Sequence, residues 1–271
     1  MSFATKTLPQ YYKDLLHTDN SNTGIGSTIK QVKCGDGDSS ALYISDRNFK
    51  ITPAVDSTTN SVIYDADGNP LISVDSTNDL VKLGIGQHIA NTQIQSFGIF
   101  DFSPTAGNHH PLTTSSFPNS VGADDYTALV NAGVWGGSGT NPATSLTIAS
   151  VAEQFIPSVF LLQSNITIDE VQYLASADAS TTINIHLMSY TLQTGAGATA
   201  GDLSEGAVIA QTGSNSSSLS PVTIGDDRVS NGTLTINTTD INDAKALVVF
   251  AENVGGTDDI TLQVNLKYHL R

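Results

Sequence analysis

The most constraining feature of the chain is a two-residue period. In Ile183-Asn184-Ile185-His186-Leu187, and again from Leu262 to Tyr268, apolar and polar side chains alternate without a break. A helix would scatter that pattern around its axis, whereas a strand puts every apolar residue on one face. Further strand-like runs occur at Phe155 to Leu162, Ile166 to Leu174, Ala207 to Thr212, Leu219 to Ile224, Gly232 to Asn237 and Ala246 to Glu252, separated by Gly and Asp turns. About eight antiparallel strands at this spacing predict a β-sandwich over residues 151–271, jelly-roll-like in its connections.

Upstream the strands are shorter. Leu42 to Ser45 and Phe49 to Ile51 flank Asp46-Arg47-Asn48, and Ser61 to Tyr64 and Leu71 to Val74 flank Asp65-Ala66-Asp67-Gly68-Asn69-Pro70. Leu80 to Gly84 follows Asp75 to Asp79 in the same way. The Asp-Gly and Asn-rich joints are hairpin chemistry. Hairpins this short bury no core of their own, so residues 41–86 are expected to form a thin shaft completed by copies of the same chain. Its shared core would hold Leu42, Ile44, Phe49, Ile51, Ile63, Leu71, Val74, Leu80 and Leu83.

Residues 1–40 read as an anchor. Pro9 is placed to start a short helix that puts Tyr11, Tyr12, Leu15 and Leu16 on one face, with Leu8 beside it, until Asp19 to Gly24 ends it. Two turns of helix are marginal alone and need a surface to dock on. Residues 87–150 are dense in Gly, Pro, Ser and Asn and read as an irregular connector with apolar patches at Ile94 to Phe102 and Ala128 to Trp135.

Charge narrows the partners. Eleven Lys and Arg against 26 Asp and Glu give a formal net charge of −15, which repels phosphate backbones and anionic membrane surfaces. No nucleic acid is expected as a partner. No run approaches the ~18 apolar residues of a membrane helix, and Met1 to Lys6 lacks a basic and then apolar leader. Synthesis in a cytoplasm without a signal peptide is the expectation, and the Asn165, Asn215, Asn231 and Asn237 sequons would then go unused.

Few residues invite chemistry. The adjacent carboxylates at Asp124-Asp125, Asp169-Glu170, Asp226-Asp227 and Asp258-Asp259 do not make glycosidase dyads, since strand neighbours point to opposite faces. Asp65 to Asn69 has its Gly at position four of a would-be calcium loop, not six, and reads as a turn. The lone Cys34 forms no internal disulfide. Gly24-Ile25-Gly26 and Gly84-Ile85-Gly86 lack a dinucleotide fingerprint. His109-His110 carries the single metal suggestion: around a threefold axis one inward His supplies three nitrogens. The plainer reading is two exposed loop histidines, and neither metal nor cofactor is expected. Trp135, Tyr173 and Tyr190 are candidates for stacking on sugar rings, with core packing as the commoner use of such side chains. No catalytic motif is present, so no enzyme activity is expected.

Thr7-Leu8-Pro9-Gln10-Tyr11-Tyr12-Lys13-Asp14-Leu15-Leu16, with Asn20 to Gly24, resembles the N-terminus of structural proteins of marine bacteriophages, including phages of cyanobacteria. Ser40 to Ser45 and the strand-turn units after it resemble the particle-proximal parts of phage fibres. The resemblance spans residues 1 to about 85 and is architectural beyond. It implies a homotrimeric fibre on the virion surface, docked by its N-terminus on capsid, portal or tail proteins, with the sandwich outward for a host glycan or protein. A tail fibre, a head fibre and a capsid decoration or cement protein without receptor role all fit. A polysaccharide depolymerase fits less well, because its long β-helical repeats are missing.

Overall fold

In a computed structural model, residues 16–18, 25–86, 88–114, 136–147, 158–193, 203–215, 218–254 and 256–271 are described, and the expected mostly β architecture is present. The chain divides into two units, Met1–Ala90 and Asn91–Arg271.

The first unit holds two four-stranded antiparallel meanders. One runs β1 (Leu16–Thr18), β2 (Lys30–Cys34), β3 (Ser39–Ile44) and β4 (Phe49–Ile51); the other runs β5 (Ser61–Tyr64), β6 (Pro70–Asp75), β7 (Leu80–Leu83) and β8 (His88–Ile89). The turns follow from their side chains. Asp65 Oδ1 accepts the amides of Asp67 and Asn69 at 3.0 and 2.7 Å, and Gly68 takes φ +84°, open to glycine without strain. These bonds, Asn69 foremost, hold the Asp65 carboxyl below its ordinary value. The loop is a hydrogen-bonded turn, as its glycine position indicated. Leu16 departs from the expected helix: it opens β1, opposite Cys34, because the edge of β2 offers its backbone partners. Leu8, Tyr11, Tyr12 and Leu15 lie outside the described residues.

The second unit is a two-sheet sandwich. Its strands are β9 (Thr92–Phe102), β10 (His109–Pro111), β11 (Phe160–Leu161), β12 (Ile166–Ala177), β13 (Thr181–Leu192), β14 (Leu203–Gln211), β15 (Gly213–Asn215), β16 (Ser218–Leu219), β17 (Val222–Ile224), β18 (Ser230–Thr233), β19 (Thr235–Ile236), β20 (Asp240–Ile241), β21 (Lys245–Asn253) and β22 (Ile260–Leu270). One sheet has the order β10-β21-β13-β14-β19, with β11 on β21 and β17 on β13; the other has β18-β12-β22-β9, with β20 on β12. The strip β15-β16 pairs separately.

Alternation builds the core. Ile183, Ile185 and Leu187 of β13 and Leu247, Val249 and Ala251 of β21 meet Leu262, Val264 and Leu266 of β22, all buried. Burying each large aliphatic side chain contributes about 1.5–3 kcal/mol. On β12 the inward set changes parity, from Ile166 and Ile168 to Val171, Tyr173 and Ala175, across a bulge between Ile168 and Glu170. The extra residue keeps both halves of the strand facing the core.

One expectation for residues 87–150 needs correction, and the Ala128 to Trp135 patch lies outside the described residues. Ile94 to Phe102 is no connector patch: it belongs to β9, which pairs with β22 from Thr92 to Phe102 and buries Phe97 and Ile99. The sandwich therefore begins near residue 91, and its edge comes from a part of the chain far from β22 in sequence. The segment 136–147 covers the outer face of the larger sheet, where Leu146, Met188, Tyr190, Leu203, Val248 and Phe250 form a second apolar cluster.

Candidate functional site

In the first unit the unusual surface is apolar. Leu42, Ile44, Phe49 and Ile51 share one face, set by the pairings Leu42↔Ile51 and Ile44↔Phe49. Phe49 is 69% exposed. In the second meander Ile63, Ile72 and Leu83 form one row and Val74 pairs with Val81 on the same face, yet Ile63 is 58% exposed and Leu83 43%. Leu71 and Leu80 fall on the opposite face, one residue out of phase with Ile72 and Val81. Val32 is the one buried hydrophobic side chain among the described residues of this unit. Fixing each backbone residue costs ~1–2 kcal/mol, which so little burial does not offset.

The sandwich removes two proposed sugar contacts. Tyr190 is fully buried, its hydroxyl donating to the Ala143 carbonyl at 2.9 Å and its ring edge-on to Phe250. Tyr173 packs in the inner core beneath Gly232, which leaves no room for a Cβ. Neither offers a face to a ligand. Trp135 lies outside the described residues. The outer face of the smaller sheet instead presents amides and hydroxyls: Gln172 pairs with Thr233 and Asn265, and Leu174 with Asn231 and Gln263.

His109 and His110 are buried strand residues, not exposed loop histidines, and they point to opposite faces. His110 turns inward, edge-on to Phe102, and its Nε2 accepts the Thr105 amide at 3.1 Å. His109 turns outward into a polar row across three strands. It stands opposite Glu252 of β21, which stands opposite Asn184 of β13. Asn184 Nδ2 donates to Glu252 Oε2 at 2.8 Å, and His109 Nε2 lies 3.7 Å from that oxygen. His109 Nδ1–H donates to the Gly137 carbonyl at 3.1 Å. The His186 ring is edge-on to that of His109, centroids 5.0 Å apart. Burial lowers the basicity of both imidazoles, that of His186 to a pKa of about 3. His109 Nε2, both nitrogens of His186 and Asn184 Oδ1 are buried without a hydrogen-bond partner. Each such atom costs ~1–3 kcal/mol, and here they sit together.

No family model and no curated protein matches the chain.

A second polar group sits at one end of the sandwich. Asp101, Asp178 and Asp259 bring carboxylate oxygens within 4.8 Å of one another. Desolvation, then the charges of Asp101, Asp259, Asp227 and Asp226, raise the Asp178 carboxyl above its ordinary value. The cluster joins Asp101 near the end of β9 to Asp178 just after β12 and Asp259 just before β22, so the three are brought together across the fold and not as a sequence-adjacent pair. Asp169 instead meets His269 Nδ1 at 2.9 Å.

Sequence reading missed His186, Glu252 and Asn184. The alternation of β13 places Asn184 and His186 on the face opposite Ile183 and Ile185, which in a one-sided strand is the wet face. It is dry here because the 136–147 segment lies over it: Gly136 bonds to the His109 backbone, and a Cβ on Gly136 would clash with His109 Cβ.

Proposed function

We propose that the protein is a non-enzymatic structural protein of a bacteriophage particle. In this reading it is a homotrimeric fibre subunit on the virion surface, docked by residues 1–40 on capsid or tail, with the sandwich presented to the host. The observation that carries the reading is the pair of apolar sheet faces in the first unit, large side chains outward and almost none inside. Neighbouring copies laid face to face around a common axis would bury Phe49, Ile63, Ile72 and Leu83. The amide-rich outer face of the smaller sheet has the hydrogen-bonding character that a neutral glycan or a capsid surface requires, and threefold display would multiply a weak site by ~10²–10⁴. The resemblance of Thr7 to Leu16 to marine phage structural proteins supports the particle assignment.

Native mass spectrometry of the full chain is expected to give a trimer, and loss of residues 1–15, which precede β1, should abolish incorporation into particles while leaving that trimer intact. A chain that stays monomeric at high concentration sinks the fibre reading. The same exposed faces would equally suit a capsid decoration protein. Phage lacking the protein separate the two: a fibre deletion loses adsorption, a cement deletion loses particle stability while still adsorbing.

A further inference from the structure

We propose that His109, Glu252 and His186 hold a divalent transition-metal ion of the zinc class on the outer face of the larger sheet. Such a site is independent of any role on a particle, and it is built on His109. Because the Gly137 carbonyl can only accept, Nδ1 carries the proton and Nε2 presents a lone pair. That lone pair faces the Glu252 carboxylate at 3.7 Å, two acceptors turned toward each other out of water. A cation between them removes the conflict. Two donors each about 2.0–2.1 Å from a tetrahedral zinc lie roughly 3.3 Å apart, so the observed gap closes with a shift of a few tenths of an ångström.

The surroundings are those of a built site. Ligating histidines commonly donate their second ring N–H to a carbonyl, as His109 does to Gly137, and ligating carboxylates are themselves held, as Glu252 is by Asn184. His186 brings a third donor: its ring adjoins that of His109, and neither of its nitrogens has a hydrogen bond to give up. In the present rotamers only Asp101, Asp178 and Asp259, among the described residues, bring three such ligand atoms within 4.8 Å. His186 therefore completes the set by turning its ring about χ2, a soft rotation. Two imidazoles and a carboxylate select zinc-like ions over Ca²⁺ or Mg²⁺. The Glu252 side chain keeps 11% of its exposure, which leaves a route of entry from solvent. The ion would tie β10, an edge strand, to β13 across β21.

The test uses the untagged full chain, stripped with chelator and titrated with Zn²⁺ by calorimetry and with Co²⁺ by visible absorption. One ion per chain is expected, with the intense absorption of low-symmetry Co²⁺. His109→Ala and Glu252→Gln should abolish binding, and Asn184→Ala should weaken it about 10- to 100-fold. Asp178→Asn should leave it unchanged. ¹⁵N imidazole spectra of the unmutated chain keep the question open should a variant misfold: Zn²⁺ should shift His109 Nε2 and one His186 nitrogen while His109 Nδ1 stays protonated. Absence of uptake, or uptake that survives in folded His109→Ala, overturns the proposal. So does an imidazolium on His109 that Zn²⁺ leaves untouched, which would make the pair a shared proton.

Discussion

Gly136 has no positive φ to explain it; space does. A methyl there would meet the Cβ and carbonyl of His109 and the ring of Phe250, all under 3.0 Å. Gly136→Ala must push the covering segment off the sheet and is expected to cost about 1–3 kcal/mol, read as a lowered midpoint in chemical denaturation. Asp178 makes the opposite case. Its folded carboxyl binds its proton more tightly than the ordinary value of 3.8, so the folded state holds more protons and loses stability as pH rises through that window. Asp178→Asn should therefore raise the melting temperature near neutral pH, with the gain vanishing below pH 3.8. An unchanged melting temperature at neutral pH would mean that the repulsion is fully screened.

The β6–β7 hairpin is held by one carboxylate. Asp75 accepts from the Asn78 backbone at 3.0 Å, from its side chain at 2.9 Å and from Lys82 Nζ at 2.9 Å. The Asn78 side-chain bond, then that of Lys82, holds its pKa down to about 2. A depressed acid stabilises the fold above its unfolded value and loses that contribution as protons arrive. Amide exchange in residues 70–83 should therefore speed up as pH falls from 3.8 toward 2 relative to Asp75→Asn, after correction for intrinsic rates. The other property of this element is its bare face. Changing Ile72 and Leu83 together to Ser is expected to dissolve the proposed trimer, seen by light scattering, while the melting temperature of residues 91–271 stays put.

At the scale of the molecule the two units store stability differently. Residues 91–271 contain both apolar clusters, so this piece alone should fold and melt as it does in the whole chain. Residues 1–90 alone, diluted below the dissociation constant of the proposed trimer, should lose their strand signal in circular dichroism. A concentration-independent melt of that fragment would mean that it has a sufficient interior of its own.

Strand existence was legible because period-two alternation is a local property: Ile183 to Leu187 and Leu262 to Tyr268 fold as their sequence dictates. Turns were legible too, as in Asp65 to Asn69, since their bonds close within five residues. That Leu71 and Leu80 face away from Ile72 and Val81 was not legible, because register depends on which backbone groups pair across the sheet, and one residue reverses a side chain. Tyr173 and Tyr190 looked available, and His109 and His110 looked wet, because burial belongs to distant segments folding over them. The row His109–Glu252–Asn184 joins residues 68 and more positions apart. Local chemistry chose the strands, but only their long-range pairing chose which polar groups meet in the dry.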